Sequence, residues 1–324
     1  MKKVLVLTDG KAGHENQSRA FVRALGCEAC VVPVKFKSAG AKALSYLLDK
    51  IGVRTGRLFK GLDDATLRNA AGDGGAAPGF SAVVGTGSGT FYAAKAVARM
   101  LGIPCGVILY PRGYDMASFD CIMAPSFDNP ALAPNVVEIP ANIVANDDGF
   151  YSAGVDRFRE HYESVNGRPC DMSRRAVAVV VGGPNKCSTM TPEWMREKLD
   201  EAFAAAEGRA MWVTTSRRTP PEVESVVDSF PWDYKLLYSK DHFNPIPAFV
   251  KLADRIYVTA ESTGMLSEAC TCGSSEVVAL DNLNPGPHKF RRFVEGLVRD
   301  GYVGGRRKVD LSSQFAMAKT LLGL

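Results

Sequence analysis

Tyr257 to Asn282 reads YVTAESTGMLSEACTCGSSEVVALDN, and its punctuation decides the fold. Ile256 to Thr259 is a β-branched and apolar run of strand length, and Ser262, Thr263 and Gly264 interrupt it. Met265 to Cys272 then has helical spacing, and Glu276 to Leu280 is a second apolar strand. Strand, loop, helix and strand in this order is the repeating unit of a parallel α/β sheet. A loop feeding a helix start offers unpaired backbone N–H groups and a positive dipole end, so Ser262, Thr263, Gly264 and Met265 are candidate anion-binding positions. Glu268 lies about one and a half turns further on, at roughly 1.5 Å rise per residue. A carboxylate there can accept hydrogen bonds from two vicinal hydroxyls, as on a ribose. It could equally be a solvated helix residue or the partner of a nearby arginine. Phosphate at the helix start with ribose beside the helix would make a nucleotide site.

Length and composition bound the rest of the chain. At 324 residues it fits two domains of about 150 residues each. Hydrophobic content of 46% and charged content of 23% suit a soluble globular protein, and a net charge of +4 is too small to point to nucleic acid. No run approaches the ~18 apolar residues of a membrane span, and MKKVLVLTDG reads as a strand entering a glycine loop, not as a signal peptide. A cytoplasmic protein is expected. Of eight cysteines, Cys27 and Cys30 make a lone C-x-x-C, and the four histidines show no ligand spacing, which favours buried thiols over a metal or redox site.

Outward from the quoted stretch, the same unit recurs. Strand Lys3 to Leu7 enters Asp9-Gly10-Lys11-Ala12-Gly13-His14, followed by a helix through Leu25. His14 at that helix entrance is a candidate functional side chain. Strand Ala29 to Val34 leads into a basic and apolar stretch, Lys35 to Lys60, with Leu44, Leu47, Leu48 and Ile51 at helical spacing and Asp49 the lone acid among seven basic residues. That pattern suits a helix lying on an anionic membrane surface or over a lipid-linked substrate; the alternative is a core-facing stripe with a solvated basic face. A flexible loop is expected at Asp73 to Gly79. Strand Ser81 to Val84 then enters Gly85-Thr86-Gly87-Ser88-Gly89-Thr90 ahead of helix Phe91 to Leu101 and strand Cys105 to Leu109. No acidic residue ends that following strand, so the dinucleotide fingerprint is missing and an oxidoreductase is disfavoured. Ala124 to Ile139 is proline-rich and closes the first domain.

Residues 1–143 are therefore read as an N-terminal Rossmann-like domain and 144–174 as a linker with one exposed helix. Residues 175–305 form a second Rossmann-like domain, and 306–324 a terminal helix expected to pack back on the first. The second series opens with strand Ala176 to Val181 running into Gly182-Gly183-Pro184-Asn185-Lys186, then helix Pro192 to Ala206 and strand Ala210 to Thr214. The next loop, Thr215-Ser216-Arg217-Arg218-Thr219-Pro220, offers two adjacent arginines that could clamp a phosphate or carboxylate. The tail carries His288-Lys289-Phe290-Arg291-Arg292 ahead of another helix.

The order VVGTGSGTFYAAKAVARMLGIP, VVVGGPNK, TTSRR and NPIPAFVKLADRIYVTAESTGMLSEA, together with DGKAGHENQ, resembles the bacterial and plant mitochondrial-fission-protein family, whose bacterial members are described as glycosyltransferases. More distantly it resembles the N-acetylglucosaminyltransferase of peptidoglycan lipid-precursor synthesis. The resemblance implies a GT-B fold, two Rossmann-like parallel-sheet domains facing a cleft, and a nucleotide-diphosphate sugar as substrate. It carries the His of the first glycine loop over to His14, the ribose-holding acid to Glu268, and the diphosphate loop to Gly183 and Asn185. Two departures stand out: the first loop is Gly10-Lys11-Ala12-Gly13, not a glycine run, and Ala260-Glu261-Ser262-Thr263-Gly264 matches the donor loop loosely.

The expected activity is inverting glycosyl transfer to a lipid-linked or cell-envelope acceptor, at the inner face of the membrane. No Asp-x-Asp metal motif occurs, so no metal or cofactor is expected. Helix N-termini with Lys186, Ser216, Arg217, Arg218 and Lys289 would stabilise the leaving diphosphate. The base would be His14, with Asp9 or Glu15 behind it, and Gly13, Gly87 and Ser88 would line the acceptor side. Two alternatives remain: a catalytically silent scaffold that recruits a membrane-associated partner, and a sugar-nucleotide epimerase on the same fold.

Overall fold

The computed structural model describes residues 1–62, 66, 79–144, 148–171 and 173–324. Apart from Gly79, the loop expected at Asp73 to Gly79 lies outside the described residues. The chain divides into two compact units, Met1–Ala145 with Asp310–Leu324, and Asn146–Val309.

The first unit is built on a six-stranded parallel sheet, because its apolar runs are too short for helices and are buried on both faces. Its strands are β1 (Lys3–Thr8), β2 (Glu28–Pro33), β5 (Phe80–Thr86), β6 (Cys105–Ile108), β7 (Cys121–Pro125) and β8 (Val136–Ile139), in the order β2-β1-β5-β6-β7-β8. A two-stranded antiparallel pair, β3 (Lys35–Phe36) and β4 (Phe59–Lys60), stands apart from it. The proline-rich stretch Ala124 to Ile139, expected to close the first domain, holds the end of β7 and all of β8, neither of which the sequence marks as a strand. Five and four residues are too few to show a period, and Pro125 is tolerated because it ends its strand. The helix Ser312–Leu321 packs on β7 and β8, and Leu322, fully buried, lies against Gly106 of β6.

In the second unit β9 (Ala176–Val180), β10 (Ala210–Thr214), β11 (Tyr234–Leu236), β12 (Ala253–Thr259) and β13 (Glu276–Leu280) form a parallel sheet in the order β11-β10-β9-β12-β13. The helix Asp148–Asn166, read above as exposed, is half sunk into this unit. Tyr151, Phe158 and Tyr162 fall on one face and are buried, and the Phe158 ring lies 4.8 Å from Tyr234, 5.0 Å from Trp212 and 5.8 Å from Phe249. Its charged residues occupy the other face and dilute the apolar signal over the window.

In both sheets the chain starts near the middle, builds outward on one side, then crosses to the other. The crossing falls between β1 and β5 in the first unit and between β9 and β12 in the second. Loops leaving the carboxyl ends of such strand pairs diverge and leave a crevice, where ligands of doubly wound sheets bind.

Candidate functional site

The loop after β1, the first turn of the helix Ala12–Ala24 that it enters, and the loop after β5 carry the first cluster. His14 Nδ1 lies 3.1 and 3.2 Å from the two carboxylate oxygens of Asp9. An ionised carboxylate only accepts, so Nδ1 bears the proton and donates it to Asp9, leaving the Nε2 lone pair available to take a proton. Space for this pair comes from two glycines of the β5 loop. A Cβ at Gly87, whose φ is +80°, would overlap the His14 ring, and one at Gly89 would sit 2.7 Å from Asp9 Cβ. Burial pushes the Asp9 pKa up, but the hydrogen bonds and charges of Lys11 and His14 outweigh it, and the carboxyl ends below its ordinary value. Lys11 Nζ reaches Asp9 Oδ2 at 2.9 Å. Glu15 is drawn away into an ion pair with Arg19 at 2.8 Å, so the structure couples Asp9, not Glu15, to His14. Gly13 is exposed with open space about it, and Ser88 Oγ accepts from Lys42 Nζ at 3.0 Å. A cavity of about 340 Å³ opens beside Asp9 and Gly89, bounded by Lys35, Phe36 and Lys42.

The second cluster lies at the carboxyl ends of β9, β10 and β12. The turn after β12 leads into the helix Thr263–Thr271; Ser262 is buried, Thr263 and Met265 are half-buried, and Gly264 is exposed with open space beside it. Glu261, which the sequence reading did not single out, organises this cluster. It is 2% exposed and accepts hydrogen bonds from Gly183 N (2.8 Å), Thr259 Oγ1 (3.1 Å) and Asn282 Nδ2 (2.8 Å). Three donors make a buried carboxylate tolerable. The Gly183 N–H is spent on Glu261, and the Gly182 N–H is spent on Thr259 Oγ1 at 2.9 Å, so neither amide is free to donate to a ligand. Half-buried Asn185 closes the turn that follows, its N–H donating to Ser188 Oγ and its Oδ1 accepting from Cys187 N. The signal that could have found Glu261 is its place, an acid directly ahead of a helix start otherwise suited to an anion.

Ser216 closes a turn with Thr219, while Arg217, Arg218, Lys186 and Lys289 are all exposed. The Arg218 backbone packs on Gly183, tying the β10 loop to the β9 loop. Lys289 begins the helix capped by His288, with its ammonium 5.2 Å from the Phe290 ring, and no described contact joins it to the other cations. Glu268 is half-buried, and its described partner is a tyrosine and not an arginine: Tyr151 OH donates to its Oε1 at 3.0 Å, and burial raises its pKa above the ordinary value, opposed by that bond. Tyr151 could not be anticipated, because it lies 117 residues away in sequence.

Gly183→Ala tests the packing of these loops. Its Cβ would overlap the backbone of Arg218, which cannot rotate away. Urea unfolding should show a loss of about 1–3 kcal/mol, whereas Gly264→Ala, in open space on a helix, should be neutral or stabilising by up to about 1 kcal/mol.

None of the eight cysteines is in a disulfide, and among the described residues no group of three His, Cys, Asp or Glu side chains could hold a metal ion. No described helix is long and apolar enough to cross a membrane.

The family model described as Mitochondrial fission ELM1 matches residues 12–312. No curated protein matches the chain in sequence. Among solved structures, a candidate UDP-N-acetylglucosamine 2-epimerase from Listeria monocytogenes is 15% identical, with a TM-score of 0.55 and coverage of 100% of this chain and 89% of that one. The UDP-GlcNAc 2-epimerase from Methanocaldococcus jannaschii is 14% identical, with a TM-score of 0.50 and coverage of 99% of each chain. MurG from Acinetobacter baumannii is 15% identical, with a TM-score of 0.45 and coverage of 99% and 92%. The fold is GT-B, and at these identities the likeness is one of fold.

Proposed function

The chain belongs to the Mitochondrial fission ELM1 family, and from that premise we propose that it is a glycosyltransferase using a nucleotide-diphosphate sugar and a lipid-linked or cell-envelope acceptor at the cytoplasmic face of a membrane. The observation that carries this reading is the Asp9–His14 pair, held at a topological switch point in space that Gly87 and Gly89 keep open. His14 Nε2 takes the proton of the acceptor hydroxyl as its oxygen bonds the anomeric carbon. The bond from that carbon to the diphosphate oxygen breaks on the opposite side, and inversion follows. Asp9 keeps the ring in the productive tautomer and stabilises the imidazolium that forms.

In the second unit, the free end of the helix Thr263–Thr271 and the exposed Arg217 and Arg218 are the diphosphate partners in this reading, and Glu268 is the ribose partner. Gly183 and Asn185 support this surface from the neighbouring loop in this reading, Gly183 through its bond to Glu261 and its packing on the Arg218 backbone.

Nucleoside diphosphates should raise the melting temperature, since a ligand bound only by the folded state adds about 2.7 kcal/mol at a hundredfold excess over its Kd. Incubating a panel of sugar nucleotides with and without envelope lipid extract then separates the alternatives. Acceptor-dependent product supports transfer, an isomerised sugar nucleotide formed without acceptor identifies an epimerase, and absence of both binding and product leaves the silent scaffold.

A further inference from the structure

The helix Ala39–Lys50 is turned inside out for a surface helix. Ser45 and Asp49 are its buried residues, at 0% and 1% exposure, while Leu44, Leu47 and the capping Ile51 are 42%, 59% and 65% exposed. The inward polar face is fully partnered. Asp49 receives Lys95 Nζ at 2.8 and 3.0 Å, pairs with Arg54 at 3.2 Å and accepts from Asp115 N, and Ser45 bonds Tyr114 OH at 2.9 Å. Half-buried Leu48 and Tyr46, the latter stacked on Tyr114 at 4.4 Å, complete the inward side, and Leu44 and Leu47 are left uncovered on the other. Spacing of three and seven residues places Leu44, Leu47 and Ile51 in one stripe.

The charges around this stripe are of one sign. Asp49 is the lone acid between residues 35 and 60, and it is consumed inside the unit. Lys50 lies at the edge of the apolar stripe, and the elements packed against this helix, β3 and the turn Gly56–Leu58, carry exposed Lys35 and Arg57, with Lys37 and Lys60 exposed next to them in the chain or across the β3–β4 pair. Lys35 and Lys60 are direct cross-strand partners in the β3–β4 pair, an arrangement of like charges that costs stability unless an anion lies over it.

We propose that this face is a docking surface for an anionic lipid bilayer, with Leu44, Leu47 and Ile51 entering the acyl boundary and the lysines resting on the headgroups. Charge complementarity selects this occupant, because a neutral apolar partner would leave the paired lysines uncompensated. The proposal deepens the membrane part of the reading above and does not require the catalytic part.

Cosedimentation with vesicles of phosphatidylcholine containing one quarter phosphatidylglycerol, against pure phosphatidylcholine, tests it at about 0.1 M salt, where the Debye length is near 10 Å. Binding to the anionic vesicles only is expected. Lys50→Glu with Lys60→Glu should weaken it at least tenfold, since each basic residue near such a surface contributes about fivefold and reversal adds repulsion. The triple variant Leu44→Ser, Leu47→Ser, Ile51→Ser should reduce binding to background. Both variants should keep the nucleoside diphosphate melting shift, or its absence, of the parent, so a failed donor-site assignment would not be mistaken for a failed lipid surface. Equal binding to both vesicle types, or to neither, overturns the proposal. So does a concentration-dependent dimer in analytical ultracentrifugation that the triple variant abolishes, because a second copy would then be the occupant.

Discussion

Replacing His14 with alanine should lower turnover about 10²–10⁴-fold, the range for removing a positioned general base, with nucleoside diphosphate affinity changed by less than about twofold. Two features make the effect separable from stability. His14 is part-buried in the first turn of the helix Ala12–Ala24, and its ring fills space that Gly87 leaves to it, so the truncation removes few core contacts. Its carboxylate partner also keeps Lys11 when the imidazole is gone. Asp9→Asn should cost less turnover than His14→Ala at saturating acceptor, because Nε2 survives but the tautomer and the imidazolium lose their support. The same variant carries a stability signature. A carboxyl whose folded pKa lies below its ordinary value contributes stability that is present above the ordinary value and is lost as the pH falls through the folded one. Asp9→Asn should flatten that acid limb in a urea titration series. If His14→Ala leaves turnover within a few fold, the base must be sought on another loop.

The legible part of the fold was the part built from uninterrupted apolar runs ending in glycine. Ala210–Thr214 and Glu276–Leu280 lie where the sequence places them, as does the helix Phe91–Leu101. Periodicity was silent for Cys121–Pro125 and Val136–Ile139, which are shorter than the window that would reveal them. It misjudged the helix Asp148–Asn166, because three buried aromatics spread over twelve residues are outnumbered by charges. For the helix Ala39–Lys50 the leucine spacing was correctly helical, yet it could not say which face was inside. That was decided by Asp49 meeting Lys95, a contact 46 residues apart. The candidate site divides in the same way. His14 and Asp9 are five residues apart and could be read together, whereas Glu261 with Gly183 and Tyr151 with Glu268 join positions 78 and 117 residues apart. Long-range pairs of this kind have no local signature, so the glycine loop could be recognised but the engagement of its N–H groups could not.

Glu268→Gln should weaken nucleoside diphosphate binding roughly ten- to a hundredfold, because hydrogen bonds to a charged acceptor contribute about 1.5–3 kcal/mol and the amide replaces one acceptor oxygen by a donor. The 2′-deoxy nucleotide should bind the parent more weakly and lose much less on going to the variant, one of the two bonds being already absent. Stability should move the other way. Burial holds the Glu268 pKa above its ordinary value, so the folded state keeps a proton that the unfolded chain releases, and stability falls as the pH rises from the ordinary value toward the folded one. A neutral amide escapes that loss. Glu268→Gln should therefore be at least as stable as the parent at neutral pH and show a flatter profile above the ordinary carboxylate range. Tyr151→Phe provides the matching control. It removes the hydroxyl that opposes the upward shift, so stability should begin to fall from the same ordinary value but keep falling to a higher pH and by a larger amount, while the ribose-facing charge becomes scarcer and affinity drops with it. A carboxylate kept only for packing would behave otherwise: its amide variant would melt lower and bind nucleotide as the parent does. That result would move the ribose away from Glu268 and leave the arginine loop at Arg217 and Arg218 as the place to look.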